Sequence, residues 1–280
     1  MTSAVDETNA LQRAIVSDQR RQLLDLASDY SNSGVAPDVV VAVGDPGYEI
    51  ARRVVQGGHD LLIKTAEGVV LFNREVESFS QSLLRLCPCP VWLLKPGLRG
   101  QLSCVVAAVD ASMDGIDNRD LNRRILEHAS QFAKRESAAL HVVSVWNNGM
   151  ETPLRIKMGD RIVDVMTTEY ESQLRGHLDD LLSDINLQVH EICRHVHRGN
   201  AVEAIRKAVE QVNADLVVMS LPCRTGISGL LIGNTAELVL NDSECSVFAI
   251  KPDSFVSPVK GEPRKAGIRW DAASEYSFRT

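Results

Sequence analysis

A chain of 280 residues exceeds the roughly 150 of an average domain and is expected to hold two. Apolar residues make up 44% and charged residues 24%, which excludes a disordered or fibrous chain, and a net charge of -7 argues against a protein that coats nucleic-acid phosphates. No apolar run reaches the roughly 20 residues of a membrane helix, the opening MTSAVDETNALQ has neither a basic nor an apolar leader region, and six cysteines are too sparse for a disulfide framework; a cytoplasmic location with reduced thiols is expected.

Residues 10–29 read as a helix and 38–43 as a short apolar strand. A helix from Tyr48 follows, then a strand at 60–63, a helix at 75–86 and a strand at 91–94. After a linker at 97–102, the run 104–110 suits a buried parallel strand, and 118–136 has helical spacing through Leu121, Ile125, Ala129 and Phe132. Strand 138–146, helix 160–183, strand 188–197, helix 201–212, strand 215–220, helix 234–240 and strand 246–250 complete the series. Apolar strands alternating with helices predict an α/β fold with a parallel sheet covered on both faces. The strand at 188–197 is the exception, because His190, Glu191, Arg194, His195 and His197 make it polar and place it at a sheet edge. Prolines and mixed charges beyond Pro252 predict a disordered tail.

The two halves match each other. Glu49-Ile-Ala-Arg-Arg-Val-Val answers Glu203-Ala-Ile-Arg-Lys-Ala-Val, Asp60-Leu-Leu-Ile answers Asp215-Leu-Val-Val, and Val91-Trp-Leu-Leu-Lys-Pro answers Val247-Phe-Ala-Ile-Lys-Pro, at offsets of 154, 155 and 156 residues. This is a duplicated domain. The first copy lacks about fifty opening residues, equivalent to a strand-helix-strand unit. The expected organisation is a truncated first copy at 1–96, a linker at 97–102, a complete second copy at 103–252 and a tail at 253–280. Without its central strands the first copy leaves backbone groups unpaired, so further N-terminal sequence, or a borrowed strand, is expected in the native protein.

These residues resemble the universal stress proteins, in their tandem-domain branch. The motifs are GGHDLLIKTAEG and LCPCPVWLLKP in the first half, and DLVVMS, RTGISGLLIGNTAELVL and SVFAIKP in the second. The resemblance implies tandem doubly wound parallel sheets of the adenine nucleotide alpha hydrolase-like kind. It implies strand order 3-2-1-4-5 in each, with the fifth strand pairing two domains. Val91, Leu93, Val247 and Ile250 are then the expected interface of an intramolecular pseudo-dimer, with a homodimer as a further assembly.

In a doubly wound sheet a ligand belongs beyond the carboxyl ends of the strands, at the switch point between the first and fourth. That places Asp110 opposite the loop beginning at Ser220. Nucleotide-binding members of the family carry Gly-x-x-Gly, then nine residues, then Gly-Ser or Gly-Thr. Here Ser220, Cys223, Gly233 and Asn234 occupy those positions. Cys223 adds a Cβ where phosphate would approach, and Pro222 has no N–H to donate. Gly226, Gly229 and Gly233 keep the loop permissive, but Asn234 and Thr235 serve equally as helix caps, and Asp110 as a cap in the turn with Ser112. The pocket reads as degenerate, and ATP is expected to bind weakly or not at all.

Other signals are weaker. Lys64 stands where a phosphate loop would begin, though a snorkelling lysine is the commoner case. Cys193, His195 and His197 share one strand face but span too far for a single zinc, so no metal is expected. Cys87-Pro-Cys89 invites a redox reading, yet Cys89 answers Cys245 as a small buried residue at a strand entrance. No catalytic set emerges. The leading expectation is a non-enzymatic stress-response protein with a protein or small-molecule partner and no nucleic-acid or membrane role. The alternatives are an ATP-binding switch or weak ATP hydrolase, and a carrier of an anionic or lipid-like ligand.

Overall fold

The computed structural model describes residues 2–31, 34, 37–65, 79–95, 101–112, 116–147, 151–183, 185, 192–221, 223–224, 231–232 and 245–259. The chain divides into two compact units, 1–50 and 51–280. The first unit holds helix α1 (Thr2–Ser31) and the start of α2 (Pro46–Gly57). Asp45 begins α2, its carboxylate accepting the Tyr48 N–H at 2.8 Å, with Pro46 in the first turn where no N–H is needed. Residues 37–43 join no sheet, so the strand expected at 38–43 does not form. A strand needs a hydrogen-bonded neighbour, and no described strand pairs with these residues.

The second unit contains β1 (Leu62–Thr65), α3 (Phe79–Leu86), β2 (Val91–Leu94), β3 (Cys104–Val109), α4 (Ile116–Glu136), β4 (Ala139–Trp146), α5 (Glu151–Met158) and α6 (Asp160–Ser183). It continues with β5 (Ile192–Arg198), α7 (Ala201–Gln211), β6 (Leu216–Ser220), β7 (Cys223–Arg224), β8 (Leu231–Ile232) and β9 (Ser246–Ile250). One seven-stranded sheet runs β1-β2-β9-β6-β3-β4-β5, and a separate ribbon pairs β7 with β8. Helix α5 and this ribbon go beyond the elements expected from the sequence. The helix expected at 234–240 lies outside the described residues, as does the start of the one expected at 75–86.

Within the second copy the strands stand in the order β5-β4-β3-β6-β9, all parallel. This is the 3-2-1-4-5 order, with the polar strand β5 at the edge. Central β3 is buried at all six positions, as a strand covered on both faces requires. One face packs Val105, Ala107, Leu140 and Val218 against Ile125 of α4 and Leu178 of α6. The first copy contributes β1 and β2, which extend the same sheet: β2 runs antiparallel to β9, with Leu93 opposite Val247 and Trp92 opposite Phe248. Val91, Leu93 and Val247 are buried there, while Ile250 lies one residue past the paired stretch and joins the cluster under α4.

The duplication survives in backbone conformation. Gly58 after α2 has φ 60°, and the His59 N–H donates to Val54 O at 3.3 Å; Asn213 after α7 has φ 48°, and the Ala214 N–H donates to Val209 O at 3.0 Å. Both helices end in the same left-handed turn, which delivers the chain into the fourth strand of its copy.

The segment expected to be disordered from 253 begins by packing instead. Lys251, 3% exposed, donates to Arg85 O at 3.0 Å, Ser257 Oγ donates to Leu86 O at 2.6 Å, and Val259 is buried. The carbonyls at the end of α3 lack intrahelical partners, and the tail supplies donors for them. Residues 260–280 lie outside the described residues.

Asp215 ties three strand entrances together. Its carboxylate accepts from Ser103 N (2.7 Å), Ser103 Oγ (2.6 Å) and Cys104 N (3.0 Å), while its carbonyl accepts from Ser246 N (2.9 Å). Burial pushes its pKa up, but these hydrogen bonds outweigh that and hold it below the usual carboxylate value. A depressed acid stabilises the fold above its unfolded pKa of about 3.9, and that contribution disappears as pH falls through the folded value. Asp215→Asn is therefore expected to cost about 1–2 kcal/mol at pH 7, discounted for solvent screening, and to flatten the acid limb of stability below about pH 4. Urea unfolding at pH 7 and pH 3 checks both.

Candidate functional site

The switch point expected from the order of the strands is present. Parallel β3 and β6 lie side by side, with Ala108 opposite Met219, and the chain leaves them toward opposite sheet edges. Asp110 and Ser220 stand at their carboxyl ends.

Asp110 is exposed, yet its loop is fixed on every side. Its carboxylate accepts from Ser112 N at 3.0 Å and from Ser112 Oγ at 2.5 Å, closing the turn expected from the sequence. Its N–H donates to Oδ1 of buried Asn122 on α4 at 3.0 Å, and Asn122 Nδ2 donates back to the Asp110 carbonyl. The Ala111 N–H donates to Ser144 Oγ of β4 at 3.1 Å. Asn122 and Ser144 are not among the residues expected from the sequence. Their signal is only that of polar residues at core-facing positions of an amphipathic helix and an apolar strand.

Across the crevice, Ser220 is half-buried. The next N–H, that of buried Leu221, donates to Ile250 O at 2.9 Å. Pro222 has no N–H, and Cys223 enters β7, paired opposite Ile232 of β8. Gly226, Gly229, Gly233, Asn234 and Thr235 lie outside the described residues.

In the first copy, Lys64 makes local contacts: Nζ donates to Thr65 O at 2.8 Å and Ser80 Oγ at 3.2 Å, and it stands 4.8 Å from the Phe79 ring centre. Cys87 and Cys89 are buried. Burial pushes the Cys87 thiol up to about 12 and raises Cys89 as well, so neither supplies a thiolate near neutral pH. Among the described residues no group of three or more His, Cys, Asp or Glu could hold a metal ion.

The structure adds a second concavity. At the end of β4, between α5 and α6, Trp146, Leu154, Val163, Met166 and Tyr170 line a cavity of about 300 Å³. Arg198 stands 5.5 Å from the Trp146 ring and pairs with Glu151, and Arg155 joins Glu151, Asp160 and Asp164 along the rim.

Comparison with known proteins agrees with this architecture. A model of the universal stress protein family matches residues 1–95 and 113–251. Universal stress protein E of Photorhabdus laumondii is 28% identical over 265 residues, covering 91% of this chain and 82% of that protein. The Escherichia coli K12 protein of the same name is 28% identical over 267 residues, covering 91% and 81%. Among solved structures, a Pseudomonas aeruginosa UCBPP-PA14 protein assigned to the universal stress proteins superposes with a TM-score of 0.66 at 25% identity, covering 83% of this chain and 78% of that one. A universal stress protein from Archaeoglobus fulgidus shares the fold, with a TM-score of 0.56 at 21% identity over 84% of this chain and 79% of that one. No described helix is long and apolar enough to cross a membrane.

Proposed function

The chain belongs to the universal stress protein family, and from that premise we propose that it is a non-enzymatic, cytoplasmic stress-response protein whose second-copy crevice does not hold ATP through a phosphate loop. The observation that carries this reading is the backbone after β6. A phosphate nest needs consecutive N–H groups pointing inward. The Leu221 N–H is already spent on Ile250 O, and the next residue is a proline. On the opposite wall the Asp110 carboxylate is engaged by Ser112. The first two positions after β6 thus offer a triphosphate no available N–H.

Calorimetric titration with magnesium and ATP tests this. The wild type is expected to bind with a dissociation constant above about 100 μM. The variant Ser220→Gly, Pro222→Arg, Cys223→Gly, Asn234→Ser is expected to gain affinity, since each restored bond to a charged phosphate contributes about 1.5–3 kcal/mol. Micromolar binding by the wild type would overturn the reading in favour of an ATP-binding switch or weak ATP hydrolase using Asp110 and residues 226–234.

The carrier reading has one observation in its favour, the cavity beside Trp146. It is near the lower size of small-molecule sites, and its lining mixes apolar side chains with Asn147 and Thr167, so it favours neither a lipid-like nor an anionic ligand over the other.

A further inference from the structure

Strand register brings together imidazoles that are distant in sequence. β4 and β5 pair with His141 opposite Cys193, Val143 opposite His195 and Val145 opposite His197. Residues 141, 143, 145, 193, 195 and 197 therefore share one sheet face. On it the rings of His141 and His195 stack with centroids 5.2 Å apart, and His195 and His197 stack at 6.0 Å. His141 Nδ1 and His195 Nε2 are 2.9 Å apart, a hydrogen bond in which one ring donates and the other accepts. His197 Nε2 is buried with no partner among the described residues.

We propose that the His141–His195–His197 stack is an acid-responsive latch that holds edge strand β5 on the sheet near neutral pH and releases it as pH falls. The short bond between two rings needs a single proton between them. With both rings charged, two N–H groups face each other across 2.9 Å, the bond between the rings is lost, and the charges repel. The latch sits where a small penalty matters, because among the described residues β5 has one neighbour in the sheet and no strand on its outer side.

The neighbouring imidazoles oppose a charge on His195. Cys193, Val143 and Val145 complete the face on the two strands, and the adjoining β3 positions are Val106 and Ala108. Helix α7, which packs on β4, buries Ile205, Ala208 and Val209; Glu203, Lys207 and Glu210 are exposed, and Arg206 pairs with Glu210. α6 packs on the opposite face of β5, where Arg194 pairs with Asp179. At the end of β5, Arg198 pairs with Glu151 of α5. Burial, then the neighbouring His141 and His197, holds His195 below the usual imidazole value.

A histidine whose folded pKa is depressed contributes stability that is complete above its unfolded pKa of about 6.5 and is lost as pH falls toward the folded value. His128 on α4 is also lowered, by burial first and then by Arg124, and it gives the whole fold a similar acid dependence. A local readout separates the two.

The experiment is amide hydrogen exchange on the full chain between pH 7.5 and 5.0, expressed as protection factors. Protection of 192–198 is expected to fall about tenfold or more relative to that of 216–220. His195→Gln is expected to reduce this differential to less than about threefold, since lowering a pKa by one pH unit on folding changes the folding equilibrium about tenfold in acid. An equal loss at both segments in the wild type, or an unchanged differential in His195→Gln, overturns the latch. If that variant does not fold, an NMR titration of the wild-type imidazoles decides. Coupled protonation of His141 and His195 below the free imidazole value supports the latch, and independent titration at that value overturns it.

Discussion

Replacing Val247 by aspartate is expected to lower the melting temperature by roughly 10 °C or more, an effect of about 3–5 kcal/mol. Val247 is fully buried in β9, with Leu93 of β2 opposite it on one side and Val217 of β6 on the other. A carboxylate there meets no cation among its paired residues. It must either stay ionised without solvation or take up a proton, and each costs several kcal/mol. Because the buried acid has a raised pKa, the penalty shrinks as pH falls toward its folded value, opposite to the behaviour of Asp215. Differential scanning calorimetry of Val247→Asp and Val247→Ala at pH 7.5 and 5 checks the size and the sign. An unchanged melting temperature in the aspartate variant would mean that β9 is not the seam between the copies.

The sheet is readable in the sequence because three matches at nearly one offset and a series of short apolar runs converge on a single solution. The order of strands follows from the family resemblance, and the polarity of 192–198 independently places β5 at an edge. What escapes is whatever depends on partners rather than on pattern. Residues 38–43 have strand chemistry but no neighbour, so they stay outside the sheet. Helix α5 buries no residue completely, so its sequence carries no clear apolar stripe.

The candidate site divides along the same line. Asp110 and Ser220 are legible because the ends of central strands are fixed by topology. The hydrogen bond from Leu221 N–H to Ile250 O is not, since it depends on how β9 ends beside β6. In the sequence His141 is one polar residue in an apolar strand. Only the register with β5 sets it against His195.

Trp92→Ala is expected to cost about 3 kcal/mol, the low end for an aromatic truncation because the ring is only partly buried. Alternation along β2 directs attention to Val91 and Leu93, yet Trp92 on the other face makes the aromatic contacts. Its ring lies 5.0 Å from Phe132 of α4 and 6.1 Å from Phe248 of β9, and those two lie 5.3 Å apart. One residue of the first copy thereby enters an aromatic triad of the second. Its Nε1 is buried with no partner among the described residues, so the indole adds area and contact geometry but no hydrogen bond. Trp92→Phe should then lose much less than Trp92→Ala, since it removes an unpaired donor along with some area. A double-mutant cycle with Phe132→Ala isolates the contact: groups in direct contact are expected to couple by about 0.5–1.5 kcal/mol. Denaturant unfolding of the two single variants and the double measures it. Strict additivity would mean that Trp92 stabilises β2 alone and does not join the two copies.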